Sequence, residues 1–258
     1  MALTRRSFLN TTPFVLAPVF WRPAAAGPDQ AFPSHPPEMI KEMVGVSHGN
    51  IARVKELLAA RPTLSRAAWD WGFGDWEDAL GAASHVGNRE IAELLLAHGA
   101  RPSIFSAAML GQLEVVKAFV AAAPGIESTP GPHGITLLRH ATAGGPRAQA
   151  VAEYLKTLPG ADRRPDSQQL TPQELAALAG EYVFGPAADD RITISVSNTN
   201  VLQFTRPGRP ARGLTHVGDR AFYPIGAPLV RIRFKESTTG MTLTVFDPDV
   251  VVEAIRRV

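Results

Sequence analysis

Ala82-Ala83-Ser84-His85-Val86-Gly87-Asn88-Arg89-Glu90-Ile91-Ala92-Glu93-Leu94-Leu95-Leu96-Ala97-His98-Gly99-Ala100 reads as a helical hairpin in a single line. One helix ends at Gly87-Asn88. A second starts at Arg89, carries Ile91, Leu94, Leu95 and Leu96 on one side and Glu90 and Glu93 on the other, and closes at Gly99. Both glycines stand where a helix end favours a residue that tolerates positive φ. Two helices this short cannot bury their apolar faces alone, so the pattern demands neighbours of the same kind.

The neighbours are present. Gly49-Asn50 precedes Val54, Leu57 and Leu58, and Gly111-Gln112 precedes Leu113, Val115, Val116, Phe119 and Val120. A poorer copy runs from Gly134 through Gly145 to Val151, Tyr154 and Leu155. From Gly49 to Gly145, three intervals span 96 residues, a mean of 32. Residues 38–158 therefore resemble ankyrin repeats, whose unit is about 33 residues. The resemblance implies a stack of about four hairpins that binds a protein partner through its concave face and the fingers between helix pairs.

The connection before the second copy is the longest. It holds Trp69, Asp70, Trp71, Phe73, Asp75, Trp76, Glu77 and Asp78, so three of the four tryptophans fall within eight residues. Aromatic anchors supply large contact area with few rotors. Trp69, Trp71, Phe73, Asp75, Trp76 and Glu77 are the candidate partner-binding residues. An alternative folds Trp69 and Trp71 back over the gap left by the short connection Gly99–Pro102.

The N-terminus carries a different signal. Thr4-Arg5-Arg6-Ser7-Phe8-Leu9, an apolar run from Pro13 to Trp21 and Ala24-Ala25-Ala26 resemble a twin-arginine export signal with a small-residue cleavage site. The resemblance implies a signal over 1–26, export in the folded state and a periplasmic location. No run of about 20 apolar residues exists to span a bilayer. Cleavage removes Arg5, Arg6 and Arg22, so the 26 basic and 24 acidic residues become 23 and 24. The mature chain is then nearly neutral and has no basic stripe, which argues against nucleic acid as a partner. The chain has no cysteine, so neither disulfides nor thiolate metal sites are available.

Residues 27–37 form a proline-rich tether, and the polar stretch 159–170 marks a boundary. Thr171-Pro172-Gln173-Glu174 is a capping box with proline at the first helical position. Beyond Gly180 the apolar period becomes two: Arg191–Val196, Leu229–Phe234 and Met241–Phe246 alternate between turns. About seven antiparallel strands are expected. The order Leu175, Leu178, Gly180, Tyr182, hairpins and a closing Ala254-Ile255 resembles the small β domain appended to beta-lactamase-like serine hydrolases. No Ser-x-x-Lys sequence accompanies it here.

The expected fold is thus α+β and multidomain: an all-α ankyrin-repeat solenoid over 38–158, then an antiparallel β-meander or half-barrel over 171–258. The expected function is non-enzymatic: a scaffold that binds another periplasmic or cell-envelope protein. The alternative is a small ligand or glycan held by the β domain. Catalytic motifs are wanting. Gly45-Val46-Ser47-His48-Gly49 spells a nucleophile elbow but lies in a helical hairpin rather than between strand and helix. The seven histidines include His48 and His85 in equivalent turns, where a histidine is expected to bond the turn backbone. No HExxH pair and no two histidines at helical spacing occur, so no metal ligands, catalytic residues or cofactor are assigned.

Overall fold

The computed structural model describes residues 34–164, 166–238, 240–248 and 250–257. The expected signal and most of the tether lie outside the described residues. From Pro36 onward the chain forms one compact unit. No helix among the described residues is long and apolar enough to cross a membrane.

The first half pairs short helices: α1 (Pro37–Val46) with α2 (Ile51–Ala60), α3 (Ala79–His85) with α4 (Arg89–Ala97), α5 (Ile104–Met109) with α6 (Leu113–Ala122), and α7 (Leu137–Ala143) with α8 (Gln149–Lys156). Their starts are written locally. Asn50, Asp78, Asn88, Ser103 and Thr136 each accept a backbone N–H of the first turn, which satisfies a donor that the helix leaves open. Gly87, Gly99 and Gly111 take the expected positive φ, between 75° and 87°. Helix α3 lies between α1 and α5, and α5 between α3 and α7. The buried residues of α3 are Ala79, Leu80, Gly81, Ala82, Ala83 and Ser84; apart from Leu80 they are small enough to let these helices approach closely.

Strands β1 (Ala68–Asp70) and β2 (Trp76–Asp78) form a separate hairpin between α2 and α3, with Trp69 opposite Glu77. Helix α9 (Pro172–Leu178) opens the second half with the expected capping box. Eight strands follow: β3 (Gly180–Val183), β4 (Arg191–Val196), β5 (Leu202–Thr205), β6 (Arg212–Gly218), β7 (Ala221–Pro224), β8 (Arg231–Ser237), β9 (Gly240–Asp247) and β10 (Val250–Arg256). Every neighbouring pair is antiparallel, and β10 pairs with β3 through Ile255 opposite Val183, which closes a barrel.

This corrects the fold expected from sequence. The molecule is not an ankyrin solenoid followed by a meander or half-barrel; among the described residues it has nine short helices and a closed eight-stranded barrel. Alternation identifies strands and their inward faces but carries no information on whether the last strand meets the first. The barrel interior is filled by its own side chains, among them Tyr182, Phe204, Phe222, Phe234 and Leu243, as suits a barrel of eight strands. Leu175 and Leu178 of α9 join that core.

Two predictions follow from this packing. Gly111 and Gly145 both have positive φ, but a Cβ on Gly111 would lie 2.2 Å from the Arg147 carbonyl oxygen, whereas Gly145 faces open space. Gly145→Ala should cost about 1–2 kcal/mol from backbone strain alone, and Gly111→Ala distinctly more; equal losses in urea denaturation would refute the close approach. Tyr182 is fully buried and its hydroxyl donates to the Leu178 carbonyl at 2.7 Å. Burial pushes its phenol up to about 12, against the nearby Arg256. Above pH 10 the unfolded chain releases this proton while the folded one keeps it, so stability falls as pH rises from 10 to 12. The loss from this group is about 2–3 kcal/mol, and Tyr182→Phe should flatten that part of the profile.

Candidate metal centre

Of the residues singled out by composition, all but Trp76 turn inward. The turn of the β1–β2 hairpin is made by Gly72, Phe73 and Gly74, all at positive φ, with Asp70 accepting the Gly72 N–H at 2.8 Å. Trp69 and Trp71 are partly buried against the helical core. Phe73 packs on the barrel core, its ring 5.5 Å from that of Phe204. Asp75 and Glu77 are buried, at 3% and 1% exposure. Trp76 stays on the surface, 63% exposed.

Three histidines meet Glu77. His48 comes from the turn after α1, His85 from the last residue of α3, and His133 from a 3-10 turn (Pro132–Gly134) where it adopts φ of 58°. His85 Nε2 lies 2.9 Å from Glu77 Oε1 and 3.1 Å from His48 Nε2. His133 Nε2 is 3.4 Å from Glu77 Oε1, and His48 Nε2 is 3.7 Å from Oε2. One donor atom from each of the four residues lies within 4.8 Å of every other. Four ligands at about 2.0–2.1 Å from a tetrahedral ion stand about 3.4 Å apart; the contacts of 2.9–3.7 Å bracket that edge, and the wider pairs, up to 4.8 Å, would have to close around an ion.

Among the described residues, outer hydrogen bonds orient three of the four, His48, His133 and Glu77, but none is made by His85. The His48 Nδ1–H donates to the Gly45 carbonyl at 2.9 Å, leaving Nε2 to face the cluster; the expected bond to the turn backbone is made, and it orients the ring. His133 Nδ1 donates to Asp75 Oδ2 at 2.8 Å, and the His133 backbone N–H donates to Asp75 Oδ1 at 2.9 Å. The Trp71 indole N–H donates to Glu77 Oε2 at 2.8 Å. Asp75 in turn receives Arg212 Nη1 at 2.8 Å, while Arg212 Nη2 donates to the Trp71 carbonyl at 3.0 Å. Carboxylate–histidine pairs of this kind set ring orientation at metal sites.

Glu77 Oε1 is buried and makes no well-formed hydrogen bond among the described residues, but His85 Nε2 at 2.9 Å and His133 Nε2 at 3.4 Å face it as ion-pair partners. Burial pushes the Glu77 carboxyl up, yet the His133, His85 and His48 imidazoles outweigh it and hold the group at about 2. Burial likewise works against charge on His133, but Asp75 and Glu77 raise it to about 9. Asp75 is lowered by His133 and Arg212 in spite of its burial. The cluster thus gathers one carboxylate and three imidazoles at one point, and His133 would have to give up its Nε2 proton to ligate an ion. Three imidazoles and one carboxylate, with no thiolate, suit a divalent first-row ion such as zinc, and also iron, nickel or copper.

The other sequence candidates settle elsewhere. Ser47 is fully buried and its hydroxyl donates to the Met43 carbonyl at 2.7 Å, so the apparent nucleophile elbow has no available nucleophile. His140 is buried beside the cluster, with Nδ1 donating to the Thr136 carbonyl at 2.9 Å; burial lowers it to about 4. The four ligands escaped a motif search because they lie on three separate turns and a hairpin. The traces they leave are an acid in a tryptophan-rich hairpin and histidines just before Gly49, Gly87 and Gly134.

No protein-family model matches the chain, and no curated protein matches it significantly.

Removing Asp75 leaves the Arg212 guanidinium, 13% exposed, without its carboxylate. Asp75→Ala should therefore destabilise the fold by about 3–5 kcal/mol, measured by urea denaturation; a loss below about 1 kcal/mol would show the network is unimportant to folding.

Proposed function

We propose that this chain is a mononuclear metalloprotein that holds a divalent transition ion through His48, Glu77, His85 and His133. The observation that carries the reading is the convergence on Glu77: a buried carboxylate and three imidazoles from separate segments offer one donor atom each, all within 4.8 Å of one another. A buried acid in such a position is costly unless a cation meets it.

The ion is placed to act on other molecules rather than only to brace the fold. His48 and His133 are 33% and 29% exposed. Together with Trp71 and Arg212 they line a cavity of about 370 Å³. A water or a substrate oxygen can approach from that side, where the ion supplies Lewis-acid polarisation or a lowered water pKa. The twin-arginine-like start of the chain supports the same reading. A site drawn from four distant segments exists only after folding, and an export route for folded chains allows loading beforehand.

The test is a titration of the metal-free full-length chain with Co²⁺ and Zn²⁺, followed by the tetrahedral cobalt absorption bands and by calorimetry. One ion should bind per chain. Glu77→Gln and His48→Ala should each weaken binding more than about 100-fold, beyond the 10–100-fold typical of outer-contact losses. His48 is partly exposed, so its variant keeps the test valid if Glu77→Gln fails to fold. Absence of a single strong site in the wild type, or unchanged affinity in folded His48→Ala, would overturn the proposal.

A further inference from the structure

A larger cleft, of about 830 Å³, lies between the α7 side of the helical half and the β6–β7 side of the barrel. Its wall includes His133 and Ile225, which also line the cavity at the metal ligands. Arg139, Arg163 and Arg164 reach it from the helical half and the segment before α9, and Tyr223 from the barrel. No acidic side chain lines it among the described residues. The guanidinium groups of Arg139 and Arg163 form no hydrogen bond or ion pair among the described residues. Arg164 meets only Asp162, at 3.7 Å and in the open. Two unpaired arginines and a third with one loose, exposed partner, around a concave space with no acid in its lining, create a positive potential there. The planar fork of each matches a carboxylate or phosphate in two-point fashion.

We infer that this cleft binds a small organic anion, carrying a carboxylate or phosphate group, beside the proposed metal ion. The arginines take the anionic group, and the shared wall at His133 puts the remainder of the molecule next to the ion. The volume suits a ligand of metabolite size, since such pockets run from about 300 to 1,000 Å³. Only the placement beside the ion rests on the metal reading; the anion site stands on its own lining.

The experiment is calorimetric titration of the full-length chain with inorganic phosphate and with succinate, at ionic strength matched by chloride, with and without Zn²⁺. The wild type should bind at least one of them, and Arg139→Ala/Arg163→Ala should weaken that binding at least tenfold while its zinc stoichiometry stays unchanged. Tighter phosphate binding identifies a phosphate ester as the ligand class; tighter succinate binding identifies a carboxylate. If neither probe binds at millimolar concentration, or the double variant binds as well as the wild type, the anion site is wrong. Zinc titration of the same samples reports on the metal site separately: anion binding without zinc binding sinks the metal reading and leaves the cleft standing.

Discussion

The Asp75 carboxylate holds the two halves of this molecule to each other. It is nearly inaccessible and takes three charge-assisted hydrogen bonds, two from His133 and one from Arg212. Those partners lie 58 and 137 residues away along the chain. Burying a carboxylate costs several kcal/mol unless its lone pairs are satisfied, so Asp75 is tolerable only when the helical half and strand β6 are both in place. The barrel meets it with bare backbone as well: a Cβ on Gly226 would lie 2.6 Å from Asp75 Oδ2. One hairpin residue thereby couples the folding of two dissimilar modules.

That coupling also shapes the site. Asp75 and Glu77 are two residues apart in the same hairpin, one orienting His133 through Nδ1 and the other facing its Nε2. Trp71 from the opposite limb fixes Glu77 through Oε2 and lends its carbonyl to Arg212. The hairpin is therefore the part that positions both the ligands and their outer contacts. His48 and His85 arrive from helix ends whose locations are set by the caps at Asn50 and Asp78. Local capping chemistry and a long-range ion pair together fix the separations of the four donor atoms.

What the sequence disclosed follows the range of the interactions involved. Helix starts at Asn50, Asn88 and Thr171, turns at Gly87 and Gly99, and the alternation of β4, β8 and β9 depend on neighbours within a few residues, and these were legible. Closure of the barrel depends on Ile255 meeting Val183, a pairing that alternation does not encode. The tryptophan-rich connection stood out correctly as unusual, but its direction did not. An indole N–H and two carboxylates can face solvent with a partner or face inward toward one another, and composition is the same in both cases. The histidines were harder still. Ligands at helical spacing announce themselves, whereas His48, His85 and His133 become neighbours only through the stacking of α1, α3 and the turn before α7.

The charge balance of the cluster bears on why it exists at all. With Asp75 and Glu77 ionised, Arg212 and a protonated His133 bring the sum to zero, so ion pairing alone could account for a neutral buried network. Such a network would place a donor on every buried oxygen, because an unmet one costs about 1–3 kcal/mol or more. Glu77 Oε1 meets that rule only through the imidazoles of His85 and His133, at 2.9 and 3.4 Å, whereas the Trp71 indole bonds the other oxygen of the same group outright. His85 Nε2 carries at most one proton, which can go to His48 Nε2 at 3.1 Å or to Glu77 Oε1 at 2.9 Å but not to both. Apolar packing of equal volume would be as stable or more so. A divalent cation at the common focus would remove that competition, accepting the lone pairs of the carboxylate oxygen and of the imidazoles that surround it.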